Sequence, residues 1–232
     1  MKTKTTVKFI SLACALALIL GVFTACQKKK VDSEILKNIS ELSVNVYTAK
    51  TENAEVTLTT GERETPYNVN GVCDIKSPYT VITVKPAAAS DEAAPYDYIL
   101  KTGKHEYRGR LNLHPFGISY TDTVNKMTEG TATLTLISGG VAEEIELNSQ
   151  FTDQMLNWQD ALNVGIGSVK SEVDSLYSDK KLMGEVYVRF TSDPSQADGE
   201  YFWYVAVVGN NGRTYGALVD PLSGDIIATK KI

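Results

Sequence analysis

Apolar and polar residues alternate over much of the chain between residues 42 and 148. Leu42-Ser-Val44-Asn-Val46, Glu55-Val56-Thr57-Leu58-Thr59 and Thr131-Ala-Thr133-Leu134-Thr135-Leu136 each put their apolar residues on one side, the mark of a half-buried strand. Tyr79 to Lys85 is β-branched and stops at Pro86; Tyr96 to Leu100 and His105 to Leu113 flank the turn Thr102-Gly103-Lys104. Ala142 to Leu147 follows Ser138-Gly139-Gly140, so the runs on either side of these glycines form a hairpin. Short strands at this spacing predict an antiparallel β-sandwich over 41–150, with an immunoglobulin-like topology as the obvious candidate. The segment between Pro86 and Pro95 is small and acidic, and is expected as an exposed loop.

The period changes after Asp153. Asn157 can cap a helix, with Asp160 in its first turn and Trp158, Ala161 and Leu162 at i, i+3 and i+4. Val169, Val173, Leu176 and Tyr177 make a second apolar face, which fits one kinked helix or two. Alternation returns in Met183–Phe190, Glu200–Val208, Thr214–Val219 and Asp225–Thr229. Asn210-Asn211-Gly212 and Asp220-Pro221-Leu222-Ser223-Gly224 are the turns between the last three. The fold class expected is mainly β, with a C-terminal α+β part: a helix packed on an antiparallel sheet.

The first 25 residues read differently. Lys2, Lys4 and Lys8 precede an apolar stretch from Phe9 to Phe23, the layout of a secretory signal. At roughly 15 residues it is shorter than the ~20 that span a bilayer. Phe23-Thr24-Ala25-Cys26 resembles a lipobox, the processing motif of bacterial lipoproteins, with Phe23 where Leu is usual. The resemblance implies cleavage after Ala25, diacylation of Cys26 and a protein held on the extracytoplasmic face of the cell membrane. Two acyl chains suffice for stable anchoring. Lys28, Lys29 and Lys30 would add about 1 kcal/mol each beside an anionic surface. Residues 26–40 are then expected as a lipidated tether.

Residues 154–232 resemble a PepSY domain. The resemblance rests on the helix opening at Trp158-Gln-Asp-Ala161-Leu162 and on the closing hairpin Tyr215-Gly-Ala-Leu-Val219-Asp220-Pro-Leu-Ser223-Gly224-Asp-Ile226-Ile227, where Ser223 replaces the commoner Thr. It implies a cystatin-like helix on a curled sheet and a protein or peptidase partner. The family supplies no catalytic residues, and Asp220 and Gly224 are structural on this reading.

Charge and candidate chemistry narrow the function. The chain has 23 Lys+Arg against 28 Asp+Glu; without residues 1–25, which hold three Lys and no acid, the formal charge is −8. An acidic body argues against a nucleic-acid partner, which requires clustered cations. Once Cys14 leaves with the signal and Cys26 is acylated, Cys73 has no cysteine to pair with; it is expected as a small buried apolar residue. His105 and His114 fall in no metal spacing, nucleophile elbows and phosphate loops are absent, and Asp193–Glu200 has its acids in the wrong places for a calcium loop. No metal or cofactor is expected, and the chain is expected not to be an enzyme. In the aromatic run Tyr201–Tyr204, alternation puts Tyr201 and Trp203 on one face. That face is the candidate binding surface, weighed against burial on both sides. The expected function is therefore a non-catalytic protein- or peptide-binding lipoprotein that can restrain an envelope or secreted peptidase. The alternatives are a glycan-binding surface protein and a structural spacer.

Overall fold

The computed structural model describes residues 31–68, 73–87, 96–192 and 199–232. The signal, Cys26, the three lysines after it and most of the Pro86–Pro95 and Asp193–Glu200 loops lie outside the described residues. The fold begins with helix α1 (Ser33–Lys37), then strands β1 (Ile39–Lys50), β2 (Ala54–Glu64), β3 (Lys76–Pro86), β4 (Asp97–Thr102), β5 (His105–Arg110), β6 (Asn112–Leu113), β7 (Tyr120–Val124), β8 (Ala132–Ser138) and β9 (Val141–Ser149). Helices α2 (Trp158–Ser168) and α3 (Lys170–Asp174) follow, then β10 (Tyr177–Ser178), β11 (Lys181–Leu182), β12 (Gly184–Ser192), β13 (Tyr201–Gly209), β14 (Thr214–Val219) and β15 (Ile226–Lys231). The protein is mainly β with a few short helices, and its large, mostly antiparallel sheet curls until it is nearly barrel-like.

Two apolar clusters form under this sheet. In the first half, β6-β7-β3-β2-β1 faces β5-β4-β8-β9. The apolar residues of the alternating runs, Val56, Leu58, Ile82, Val84, Leu100, Leu134, Leu136 and Ile145 among them, fill the space between. In the second half, β15-β14-β13-β12 carries α2 across β13 and β14, burying Leu162, Val173, Val186, Val188, Phe190, Trp203 and Val205. Gly165 makes the close approach of α2 possible: a Cβ there would sit 2.6 Å from the Cβ of Val205.

Strand β1 serves both clusters. Twelve residues at about 3.3 Å each reach roughly 40 Å. One side of β1 pairs with β2 along its length. The other side pairs first with β12, in parallel (Leu42↔Val188, Ser43↔Arg189), and then with β9, antiparallel (Tyr47↔Ser149). Ile39 and Val46 enter the second cluster, Tyr47 the first. The β1–β2 register slips between Ser43 and Asn45, and a Cβ on the facing Gly61 would lie 2.0 Å from the Leu42 carbonyl oxygen, so only glycine fits.

Several sequence expectations change. Residues 31–40, expected as part of the tether, are folded. Asp32 caps α1 by accepting from the Glu34 N–H (2.9 Å), and Ile35 and Ile39, four apart, bury their side chains. Of the two alternatives for the helical stretch, two helices form, divided at Val169, whose N–H closes α2 on the Ile166 carbonyl. Strand β7 is additional; its polar Tyr-Thr-Asp-Thr-Val shows only a weak apolar period. Asn157 caps α2 as expected, accepting from the Asp160 N–H at 2.9 Å. Asp220 holds its turn by accepting from the Leu222 and Ser223 N–H groups, both at 2.8 Å, and Gly224 takes φ +78°.

Candidate functional site

The residues singled out for binding are withdrawn from solvent. On β13, Trp203 is 1% exposed, and its indole N–H donates to the Leu156 carbonyl at 2.9 Å. Tyr201 is half-buried and stacks on Phe190, ring centroids 5.3 Å apart. The expectation of an exposed aromatic platform at Tyr201 and Trp203 is therefore corrected: this is the face that α2 and the segment before it cover. Cys73 is half-buried, its thiol donating to the Ile39 carbonyl at 3.0 Å, and burial pushes its pKa up, away from the reactive thiolate. His105 is exposed and His114 sits in a turn; they do not come together with acids. Among the described residues no group of three His, Cys, Asp or Glu could hold a metal ion, and no helix is long and apolar enough to cross a membrane.

A buried polar network lies where β1 meets β12. Glu41 (8% exposed) accepts from the Tyr67 hydroxyl (2.7 Å), the Tyr79 hydroxyl (2.8 Å) and Nε of Arg189 (2.8 Å). Arg189 also donates to the Tyr67 hydroxyl, and the Arg63 guanidinium lies over the Tyr79 ring at 4.6 Å. Nearby, buried Glu64 accepts from the Ser40 hydroxyl (2.5 Å) and the Asp74 N–H (2.9 Å), and buried Glu185 accepts from the Tyr187 hydroxyl. Burial and the Glu41 carboxylate push the Tyr67 phenol up to about 12, so these tyrosines stay protonated donors. A cleft of about 210 Å³ opens beside the network, but Ser43 and Phe190 in its lining are buried. Beside it the buried Ser43 hydroxyl has no hydrogen-bond partner among the described residues, while the carboxylates of the network are held by their neighbours; its chemistry is that of a rivet between strands.

The opposite end of the first half is open in character. Its β6–β7 hairpin is tightly closed: the His114 N–H donates to the Ser119 carbonyl and the Gly117 N–H to the His114 carbonyl, both at 2.7 Å, with Gly117 at φ +72°. From this ordered turn Leu113, Phe116 and Ile118 stand 51%, 81% and 69% exposed. Tyr120, at the root of the hairpin, packs edge-on against Tyr96 at 4.9 Å. Tyr96 in turn walls a groove of about 380 Å³. Ala54 and Leu136 supply its apolar floor, and Glu52, Glu143 and Val141 its rim. Sequence reading missed this end. The apolar Phe116-Gly-Ile118 inside an otherwise turn-like stretch was its only signal.

No protein-family model matches the chain, and neither a curated protein nor a solved structure is similar to it.

Proposed function

We propose that the chain is a membrane-anchored, extracytoplasmic lipoprotein whose folded part is a non-catalytic binding module for a protein or peptide. The observation that carries this reading is the exposed apolar tip of the hydrogen-bonded β6–β7 hairpin. Full cover by a partner is worth up to about 1.5–3 kcal/mol for a fully exposed large side chain; Phe116 and Ile118 come nearest to that, and half-covered Leu113 gains less. An immunoglobulin-like sandwich followed by a PepSY-like part is the finer fold we favour. Its support is the pair of facing sheets over one core and α2 lying across β13 and β14. Restraint of an envelope peptidase is the role such a module would serve.

The test is made in the native host. Cys26→Ser is expected to release the chain from the membrane fraction, and a photo-crosslinker at position 118 to trap a protein partner. Phe116→Ser should cut that crosslink by tenfold or more. A crosslink that is absent, or indifferent to Phe116→Ser, would reject the binding reading; a Cys26→Ser chain that stays on the membrane would reject the anchor.

A further inference from the structure

The groove beside the apolar tip has a chemistry of its own. Its floor is apolar, from Ala54 and Leu136, with Tyr96 and Pro86 as walls. Its charged lining residues are Glu52 and Glu143, and no lysine, arginine or histidine lines it among the described residues. Glu52 has no ion pair among the described residues and is exposed. Glu143 accepts from the Asn53 side-chain amide at 3.1 Å, a bond that joins the β1–β2 turn to β9 across the groove.

The walls are ordered before any ligand arrives. The Thr51 hydroxyl accepts from the Asn53 and Ala54 N–H groups at 3.2 Å, which fixes the turn that presents Glu52. The Ala87 N–H donates to the Asn53 carbonyl at 2.8 Å and stitches the end of β3 to that turn. On the far side Gly139 and Gly140 take φ +58° and +81°, a tight two-residue connection that sets Ser138 and Val141 on the rim. A slot with an apolar floor and two carboxylates that have no ion pair among the described residues complements a long aliphatic stem ending in a cation. That is the shape of an arginine or lysine side chain, whose methylenes bury while the head stays at the rim.

We infer that this groove binds a basic side chain of the partner, presented by an extended peptide segment, with Glu52 and Glu143 as its charge-selecting residues. The inference rests on the binding-module reading and names the chemistry of what that module takes. Its opposite would be a groove that selects only for apolar bulk.

The probes are three blocked alanine tripeptides carrying arginine, norleucine or glutamate at the centre, titrated by calorimetry into the full chain in detergent. The arginine peptide should bind best and the glutamate peptide worst, with the difference shrinking as salt rises from low to high ionic strength. Glu52→Gln with Glu143→Gln should weaken the arginine peptide about three- to tenfold and leave the norleucine peptide unchanged. Val141→Trp, which narrows the slot, should weaken both arginine and norleucine peptides. Equal binding of the arginine and glutamate peptides, no binding of the arginine peptide, or indifference to the double substitution would overturn the inference. The crosslink from position 118 is read separately: its persistence in the double variant, with peptide selectivity absent, would remove the groove while keeping the binding module.

Discussion

At the scale of single residues, the Glu41–Arg189 pair is the most consequential contact. Glu41 is largely withdrawn from water, so removing its cation leaves a charge held by two phenols. A fully buried pair broken this way costs about 3–5 kcal/mol. The Arg189 side chain is 36% exposed, so water screens part of the interaction, and about 2–3 kcal/mol is expected for Arg189→Met in urea unfolding. Replacing both partners by methionine should recover most of that loss, because no charge is then stranded. A single variant within about 0.5 kcal/mol of the parent would show that Glu41 is satisfied without the ion pair.

At the scale of elements, two glycines of α2 separate propensity from packing. Gly→Ala in a helix gains about 1 kcal/mol from propensity alone. At Gly167, where nothing lies within 4 Å of an added Cβ, that gain should appear nearly in full. At Gly165 the same Cβ meets Val205 at 2.6 Å, and overpacking of this kind costs about 1–3 kcal/mol. Gly165→Ala should therefore lower the midpoint of thermal unfolding while Gly167→Ala raises it; two rises would mean that α2 can lift off β13 freely. The sequence shows both glycines as weak points and cannot tell them apart, since the difference lies in a strand some forty residues on. The same limit governs what could be read elsewhere. Strands with a clean apolar period, such as β2 and β8, are legible because each period reports one buried face. Glu41, Glu185 and Arg189 occupy the polar positions of such strands and read as solvent-facing. They are covered instead because β1 joins β12 and the segment carrying Tyr67 lies over the join, which is long-range information. The groove is likewise assembled from three separate connections, β1–β2, β3–β4 and β8–β9, none distinctive alone.

At the scale of the whole molecule, tyrosine ionisation should report on the fold. Tyr67 is pushed up to about 12, and Tyr79, Tyr98, Tyr177 and Tyr187 are also pushed above the ordinary value near 10, by burial first and then by the carboxylates they donate to. A phenol whose folded pKa is raised favours the folded state fully below its unfolded pKa. That stabilisation drains away as pH climbs from about 10 through the folded values. Of the 12 tyrosines, these five should ionise only together with loss of circular dichroism, seen as a late step in absorbance at 295 nm. Smooth, reversible ionisation of all of them near pH 10 with the dichroism intact would contradict the buried network.

Because β1 is shared, the order of synthesis and the order of closure run in opposite senses. Its early residues Ile39, Leu42 and Ser43 emerge first, yet their parallel neighbour begins only at Gly184. Until then one flank of the newly made strand offers bare amides and carbonyls to any chain that passes. A strand wired in this way is completed only when a segment made roughly 140 residues later reaches it, so the fold closes as one piece rather than in the order of synthesis.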